Sequence, residues 1–214
     1  MPLPAPVERQ HLHTRLVECR GYFRHDGLWD IEGHITDLKT YEHRTDYRGV
    51  MRPEDPIHEM WIRLTVDDKY VIHDVEAVSD HTPYRICPEA TPNFKRLIGA
   101  SIGPGFRKEL RKRIPGRDSC VHIAELLGPV ATVAFQTIFS ERAKELMRDW
   151  RRRNGVAEPD PGPRRRPVVL DTCHTWSSDS EVVRRVYPEF YTGDDEGNVA
   201  EKSADEGTAR RNAG

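Results

Sequence analysis

A thiol, an imidazole and a carboxylate lie within one short run of this chain, as Cys120, His122 and Glu125. The run stands at the predicted start of the longest helix, with Asp118 or Ser119 as the N-cap residue. With Ser119 as the N-cap, Cys120 takes the first helical position, where free backbone N–H groups and the helix dipole favour a thiolate. Cys120 is therefore expected to act as a nucleophile or as a metal ligand.

His122 and Glu125 are three residues apart, so they are neighbours on one face of the predicted helix. We expect His122 to be a general base or a ligand and Glu125 to be the carboxylate that orients its ring. Cys120 points in another direction and meets His122 only through the flexible helix end. A structural role stays open, because a buried free cysteine commonly behaves as a small hydrophobe.

His58 is a third candidate, because strand alternation places it on the same face as Met60 and Ile62. A buried imidazole needs a partner, since an unpaired buried polar group costs about 1 to 3 kcal/mol. Asp74, on the next predicted strand, is a candidate partner, and a backbone carbonyl is the commoner one.

A second Cys–His pair, Cys173 and His174, follows in a later apolar segment. A mixed S/N/O site for zinc or iron is one hypothesis, although no spacing such as Cys-x-x-Cys supports it. An enzyme that uses a thiol or acid/base catalysis without a metal is equally open. The predicted metal ligands are His58, Cys120, His122, Cys173 and His174, and the wider set of candidates adds Asp74, Cys87 and Glu125.

Two hairpins must position these groups. Alternating residues on either side of Asp26-Gly27 predict a first hairpin from His13 to Asp37, because glycine accepts the positive φ of a tight turn. A polar loop over 42–56 follows. A second hairpin is predicted from Ile57 to Ser79, with its turn at Asp67-Asp68.

Helical signals follow the second hairpin. Short helices are predicted after Thr91 and from Phe106 to Ile114, and the long helix runs from Ser119 towards Met147. Pro129 predicts a kink or a break in that helix near Gly128. The fold class predicted is α+β, an antiparallel sheet of two hairpins packed on one face by C-terminal helices. We expect a single domain over 11–191, with a loose Arg/Pro/Gly linker at 151–167 inside it and a disordered tail at 192–214.

Composition limits the function. The net charge is −2, with 33 basic and 35 acidic residues. Because this charge would not attract nucleic acid, we do not expect nucleic-acid binding. The first ten residues do not resemble a signal peptide, no apolar stretch approaches the roughly 20 residues of a membrane span, and the four cysteines lie far apart. We therefore expect a cytoplasmic protein with reduced thiols.

Four segments, in order, resemble the bacterial family catalogued as domain of unknown function 2889. These segments are 19–33, 57–64, 120–126 and 170–174, and the resemblance covers roughly His11 to Tyr191. It implies no catalytic or binding residues.

The sequence thus predicts a small-molecule enzyme or ligand-binding protein, with a pocket between the sheet and the start of the long helix. In this hypothesis Cys120 and His122 act with Glu125, and His58 closes the site from the sheet. The alternative is a non-catalytic interaction or assembly module in which these residues are structural. Oligomeric state stays open.

Overall fold

Six strands form two antiparallel sheets in this computed structural model, which describes residues 3–160 and 166–193. The strands are β1 (His13–Phe23), β2 (Trp29–Lys39), β3 (His43–Thr45), β4 (Gly49–Met51), β5 (His58–Val66) and β6 (Ile72–His81). The larger sheet has the order β1-β2-β5-β6, and β3 pairs with β4 inside the predicted polar loop. Both predicted hairpins are confirmed, and the small sheet is an addition to them.

The turn at Gly27 sets the register of the first hairpin. Gly27 has a φ of 85°, and the flanking strands pair symmetrically about the turn, from Phe23 opposite Trp29 to His13 opposite Lys39. Alternate residues of β2 then point to one face, where Trp29 and Ile31 are buried. This face carries the hydrophobic core.

Four α-helices follow the sheet in the described part of the chain. They are α1 (Phe106–Arg113), α2 (Val121–Ile138), α3 (Glu141–Asn154) and α4 (Glu181–Val186), and a 3₁₀ helix at Cys87–Leu97 precedes them. Helix α2 packs across β1, β2 and β5. Its buried residues are Ile123, Leu126, Leu127, Val130, Ala134 and Ile138. The predicted α+β class is therefore confirmed.

Two glycines bring α2 close to the sheet. A Cβ atom on Gly33 would lie 2.5 Å from the Cγ2 atom of Val130, and one on Gly21 would lie 2.0 Å from the Oγ1 atom of Thr137. Neither position has room for a side chain, so the helix lies directly on the backbones of β1 and β2. This close contact fixes the height of α2 above the strands.

The long helix ends earlier than predicted, and not at Pro129. Helix α2 continues through Pro129 to Ile138, and α3 begins after Ser140. The Ser140 side chain caps α3 by accepting a hydrogen bond from the backbone N–H of Ala143 at 3.1 Å. The predicted break near Gly128 is therefore absent, and the helical run is interrupted twelve residues later, at the Ser140 cap; the alternative of a kink at Pro129 stays a prediction.

By length and composition alone, α2 meets the criteria for a membrane span, with 18 residues and a mean hydropathy of 1.3. The expectation that no apolar stretch approaches a membrane span therefore does not hold for this helix. Its apolar side lies in the core, against the sheet. The core helix of a soluble domain has the same properties.

The chain divides into two compact units, at residue 158. The first contains both sheets and helices α1 to α3. The second contains α4 between 3₁₀ turns at His174–Trp176 and Pro188–Phe190. Residues 151–154 of the predicted linker belong to α3, which extends to Asn154. Residues 161–165 of that linker and 194–214 of the predicted tail lie outside the described residues.

Candidate functional site

Three polar side chains form a row across the helix-covered face of the sheet. The register places Arg15 of β1 opposite Asp37 of β2, and Asp37 opposite His58 of β5. Arg15 donates hydrogen bonds to both carboxylate oxygens, from Nε to Oδ1 at 2.7 Å and from Nη2 to Oδ2 at 2.8 Å. His58 Nδ1 lies 3.0 Å from Oδ2. A carboxylate therefore joins a guanidinium and an imidazole on three neighbouring strands.

Asp37 is 1% exposed, and its surroundings keep it ionised. Burial alone would raise the pKa of this carboxyl, because it disfavours the charged form. The hydrogen bonds and charge of Arg15, with smaller contributions from His13 and His58, instead lower the pKa to about 2. His13 Nε2 lies 3.2 Å from Oδ1. The site thus has a permanent buried negative charge at neutral pH.

Helix α2 places His122 above this row. Its Nε2 atom lies 3.6 Å from Asp37 Oδ2, within ion-pair distance. Its ring packs on His58, with 3.8 Å between ring centroids. Burial lowers the pKa of both imidazoles, and the proximity of His122 lowers that of His58 further, although Asp37 opposes each shift. Both rings are therefore neutral at pH 7.

Cys120 approaches the opposite side of the His122 ring. The thiol Sγ lies 4.0 Å from His122 Nδ1, within the range of a weak hydrogen bond to sulfur. The predicted cap is wrong by one residue, because Cys120 itself is the N-cap and α2 begins at Val121. Because the backbone of Cys120 is extended, its side chain does not follow the helical direction of α2. The thiol can therefore approach the ring of His122, two residues along the chain.

The sequence predicts that Glu125 orients the His122 ring, but in the structure Glu125 binds a different residue. Its Oε2 atom accepts a hydrogen bond from Arg15 Nη1 at 3.0 Å, and its side chain is 59% exposed. The carboxylate nearest His122 is that of Asp37. Glu125 binds the guanidinium that holds Asp37, and its charge acts on His122 by opposing the lowering of the His122 pKa.

The thiol and both imidazoles line one pocket. The pocket has a volume of about 520 Å³ and includes His58, Cys87, Cys120 and His122 in its wall. The sequence hypothesis requires that Cys120, His122 and at least one further predicted residue share a cavity, and His58 meets this requirement. Cys87 adds a second thiol to the wall.

Asp74 lies elsewhere, so it is not the partner of His58. A register shift between Thr65 and Val66 interrupts the alternation, and Ile72 and Val75 are buried while Asp74 is half exposed. Such a bulge turns the following side chains to the other face. Asp74 binds Lys95 there, with 3.1 Å between Oδ1 and Nζ.

Cys173 and His174 belong to the second unit. Cys173 is exposed and precedes the 3₁₀ turn His174–Trp176. Their participation as metal ligands stays a prediction.

The sequence reasoning missed Asp37, Arg15 and His13. A signal for Asp37 and Arg15 was present, because the inward positions of β2 continue in steps of two from Ile35 to Asp37. Symmetry about the Asp26-Gly27 turn then places Arg15 opposite Asp37.

Three groups are close enough to hold a metal ion together. One ligand atom from each of Asp37, His58 and His122 lies within 4.8 Å of the others. Imidazole and carboxylate ligands suit zinc or iron. Arg15 already occupies both Asp37 oxygens, however, so a metal would have to share the carboxylate with a guanidinium.

A family model described as a protein of unknown function (DUF2889) matches residues 13–136. The match extends from β1 through most of α2, so it contains every residue of the row, Cys120 and His122. No curated protein matches the chain, and no solved structure matches it.

Proposed function

The chain belongs to the DUF2889 family, whose model matches more than half of its residues, and we propose that it is a thiol-dependent enzyme acting on a small-molecule acyl substrate. One observation carries the proposal: a thiol, an imidazole and a buried carboxylate stand in series. Cys120 Sγ faces His122 Nδ1 at 4.0 Å, and His122 Nε2 faces Asp37 Oδ2 at 3.6 Å. This is the order of a nucleophile, its base and the group that orients the base.

Each residue has one role in the reaction. The thiol proton of Cys120 moves to Nδ1 of His122 while the sulfur bonds to the acyl carbon, and the leaving group departs with that proton. Water then attacks the thioester, with His122 taking its proton, and the acid and the free thiol are released. Asp37 stabilises the imidazolium that forms in each step, because its charge lies beside Nε2.

The start of α2 supplies a further group. The first backbone N–H groups of a helix have no acceptor within it, and they point towards the N-cap residue. Cys120 is that residue, so an oxyanion formed on a carbon bonded to its sulfur lies near these donors. The Cys120–His122–Asp37 series and the N–H groups at the start of α2 both support acyl transfer to the thiol.

Alkylation by iodoacetamide, followed for each cysteine by mass spectrometry, tests the proposal. We expect Cys120 to react at least about tenfold faster at pH 7 than the same cysteine in the unfolded chain, since His122 withdraws its proton. A nitrophenyl ester should leave its acyl group on Cys120. Cys87 is the matched control, because it lines the same pocket. Equal rates for Cys120 and the unfolded cysteine would contradict thiol activation.

A zinc or iron centre is the second candidate function, favoured by the proximity of the Asp37, His58 and His122 ligand atoms. Elemental analysis of protein purified without chelators tests it. The variant His58→Ala separates the candidates, because it removes a metal ligand and leaves the Cys120–His122 pair in place. Loss of a stoichiometric metal in this variant would support the metal centre, and unchanged Cys120 alkylation with no metal in either protein would support the thiol enzyme.

We also propose a reducing, cytoplasmic location, because all four cysteines are free and a nucleophilic thiol must stay reduced. A small-molecule substrate, in place of a nucleic acid, suits the net charge of −2. A bacterial origin rests on the sequence resemblance alone.

A further inference from the structure

A second and larger cavity lies on another side of α2, between α2 and α1. Its volume is about 870 Å³, within the range of about 300 to 1,000 Å³ that is usual for small-molecule sites. We name it the α1–α2 groove. Ser119 and Val121 line both this groove and the thiol pocket, so the two cavities are neighbours at the helix start.

Both walls of the groove are largely apolar. Helix α1 and the residue after it contribute Phe106, Leu110 and Ile114, while α2 contributes small side chains at Ala124 and Ala131. The small residues of α2 leave space in front of the larger apolar residues of α1. An aliphatic chain can occupy this space, where burial of its methylene groups removes apolar surface from water.

Two arginines add positive charge to these apolar walls. Arg107 and Arg111 are one turn apart on α1 and both line the groove. Neither side chain forms an ion pair or a hydrogen bond with the residues that the structure describes. Glu125 supplies a carboxylate on the opposite wall, but Arg15 already binds it. Arg107 reaches across the groove, since its Nη2 atom would lie 3.3 Å from a Cβ atom on Gly128.

We infer that the α1–α2 groove binds an amphipathic anion, an aliphatic chain that ends in a carboxylate. The apolar walls receive the chain, and the guanidinium groups of Arg107 and Arg111 receive the carboxylate, for which their planar N–H donors are suited. This site is separate from the thiol chemistry. Its occupation requires neither Cys120 nor His122.

Isothermal titration of the full-length protein with decanoate tests the inference, with decanol as the uncharged probe. We expect decanoate to bind at least tenfold more tightly than decanol. The double variant Arg107→Gln/Arg111→Gln should remove this difference and leave decanol binding unchanged. The matched control is Lys108→Gln, an exposed cation of the same helix that does not line the groove.

A filling variant tests the position of the chain. Ala131→Trp should weaken both probes at least tenfold, and Thr132→Trp, at an exposed position in the groove wall, serves the same purpose if the first variant does not fold. Equal affinity for decanoate and decanol, equal losses in the arginine and lysine variants, or binding to anionic vesicles without binding to monomeric decanoate would each overturn the inference. A Cys120→Ser variant should bind decanoate normally, so failure of the proposed enzyme function is measured separately.

Discussion

Two clusters of imidazole and carboxylate groups lie back to back on β2 and β5. The inner cluster, on the helix-covered face, comprises Arg15, Asp37, His58 and His122. The outer cluster, on the opposite face, comprises His34, Glu59, Trp61 and His81. Glu59 binds two imidazoles, at 3.2 Å from His34 Nε2 and 2.6 Å from His81 Nδ1, and the His34 ring stacks on that of Trp61 at 3.6 Å.

The two clusters have similar residue types but different surroundings. Asp37 is almost fully buried and is held by a guanidinium, whereas the Glu59 side chain is 22% exposed and is held by histidines alone. Only the inner cluster, among the described residues, has a thiol beside one of its imidazoles. The two clusters therefore differ in burial and in the presence of a neighbouring thiol more than in residue type, and the proposed thiol chemistry belongs to the inner cluster.

The largest difference is expected in thiol reactivity. His122→Gln should slow alkylation of Cys120 at pH 7 about a hundredfold, because a positioned general base typically contributes about 10²- to 10⁴-fold. His34→Gln, its counterpart in the outer cluster, should leave the rate within about twofold. Rates come from the same mass-spectrometric assay. Equal effects of the two variants would remove the distinction between the clusters.

Stability should differ next. Asp37→Asn should lower the free energy of unfolding by about 2 to 3 kcal/mol, since buried hydrogen bonds to a charged group are lost and Arg15 loses its main partner. Glu59→Gln should cost less than about 1 kcal/mol, because its partners reach solvent. Urea unfolding at pH 7 measures both. A larger loss of unfolding free energy for Glu59→Gln than for Asp37→Asn would contradict the prediction that the inner cluster contributes more to stability.

The stability of the inner cluster should also depend on pH. Asp37 has a pKa of about 2 in the folded protein, against an ordinary value of 3.8. Because the folded-state pKa is lowered, the stabilisation is fully present above pH 4 and is lost as the pH falls towards 2. It amounts to about 2 kcal/mol. Unfolding midpoints between pH 5 and pH 2 should show this loss in the wild type and not in Asp37→Asn, and the same loss in both proteins would contradict the assignment.

The smallest effect compares two arginines. Arg15→Lys should cost about 1 kcal/mol, because lysine cannot bind both oxygens of Asp37 at once. Arg63→Lys, which alters the pair with Glu32 on the outer face, should cost less than about 0.5 kcal/mol. Thermal unfolding of the two variants under matched conditions measures the difference. A cost at Arg63 equal to that at Arg15 would show that the bidentate contact is not special.

Local patterns predict most of this fold. Alternation and the Asp-Gly turn define the first hairpin, and helical spacing defines the apolar face of α2. The sequence prediction used Pro129 as the signal for an interruption of the long helix and did not use Ser140 as a helix cap. The interruption at Ser140 was therefore missed. The Asp74 placement failed because a bulge in β6 depends on pairing with β5, which no single-strand pattern contains.

The candidate site was predicted only in part, because some of its contacts depend on how separate elements pack together. His58, Cys120 and His122 were identified from residue type, and they do share a pocket. Asp37, the partner of both imidazoles, was missed because the inward alternation of β2 was followed only as far as its apolar residues. The assignment of Glu125 to His122 used helical spacing alone, and the sheet contributed a closer carboxylate and a competing arginine.

Gly33 affects the distances between the side chains of the inner cluster. Val130 and Leu126 of α2 rest on it, and Leu126 is one turn along the helix from His122. A methyl group at this position would push α2 away from the sheet. It would thereby increase the distance between His122 and Asp37 without contacting either residue. The distance between His122 and Asp37 thus depends on the absence of a side chain at Gly33, which lies against α2 one turn along from His122.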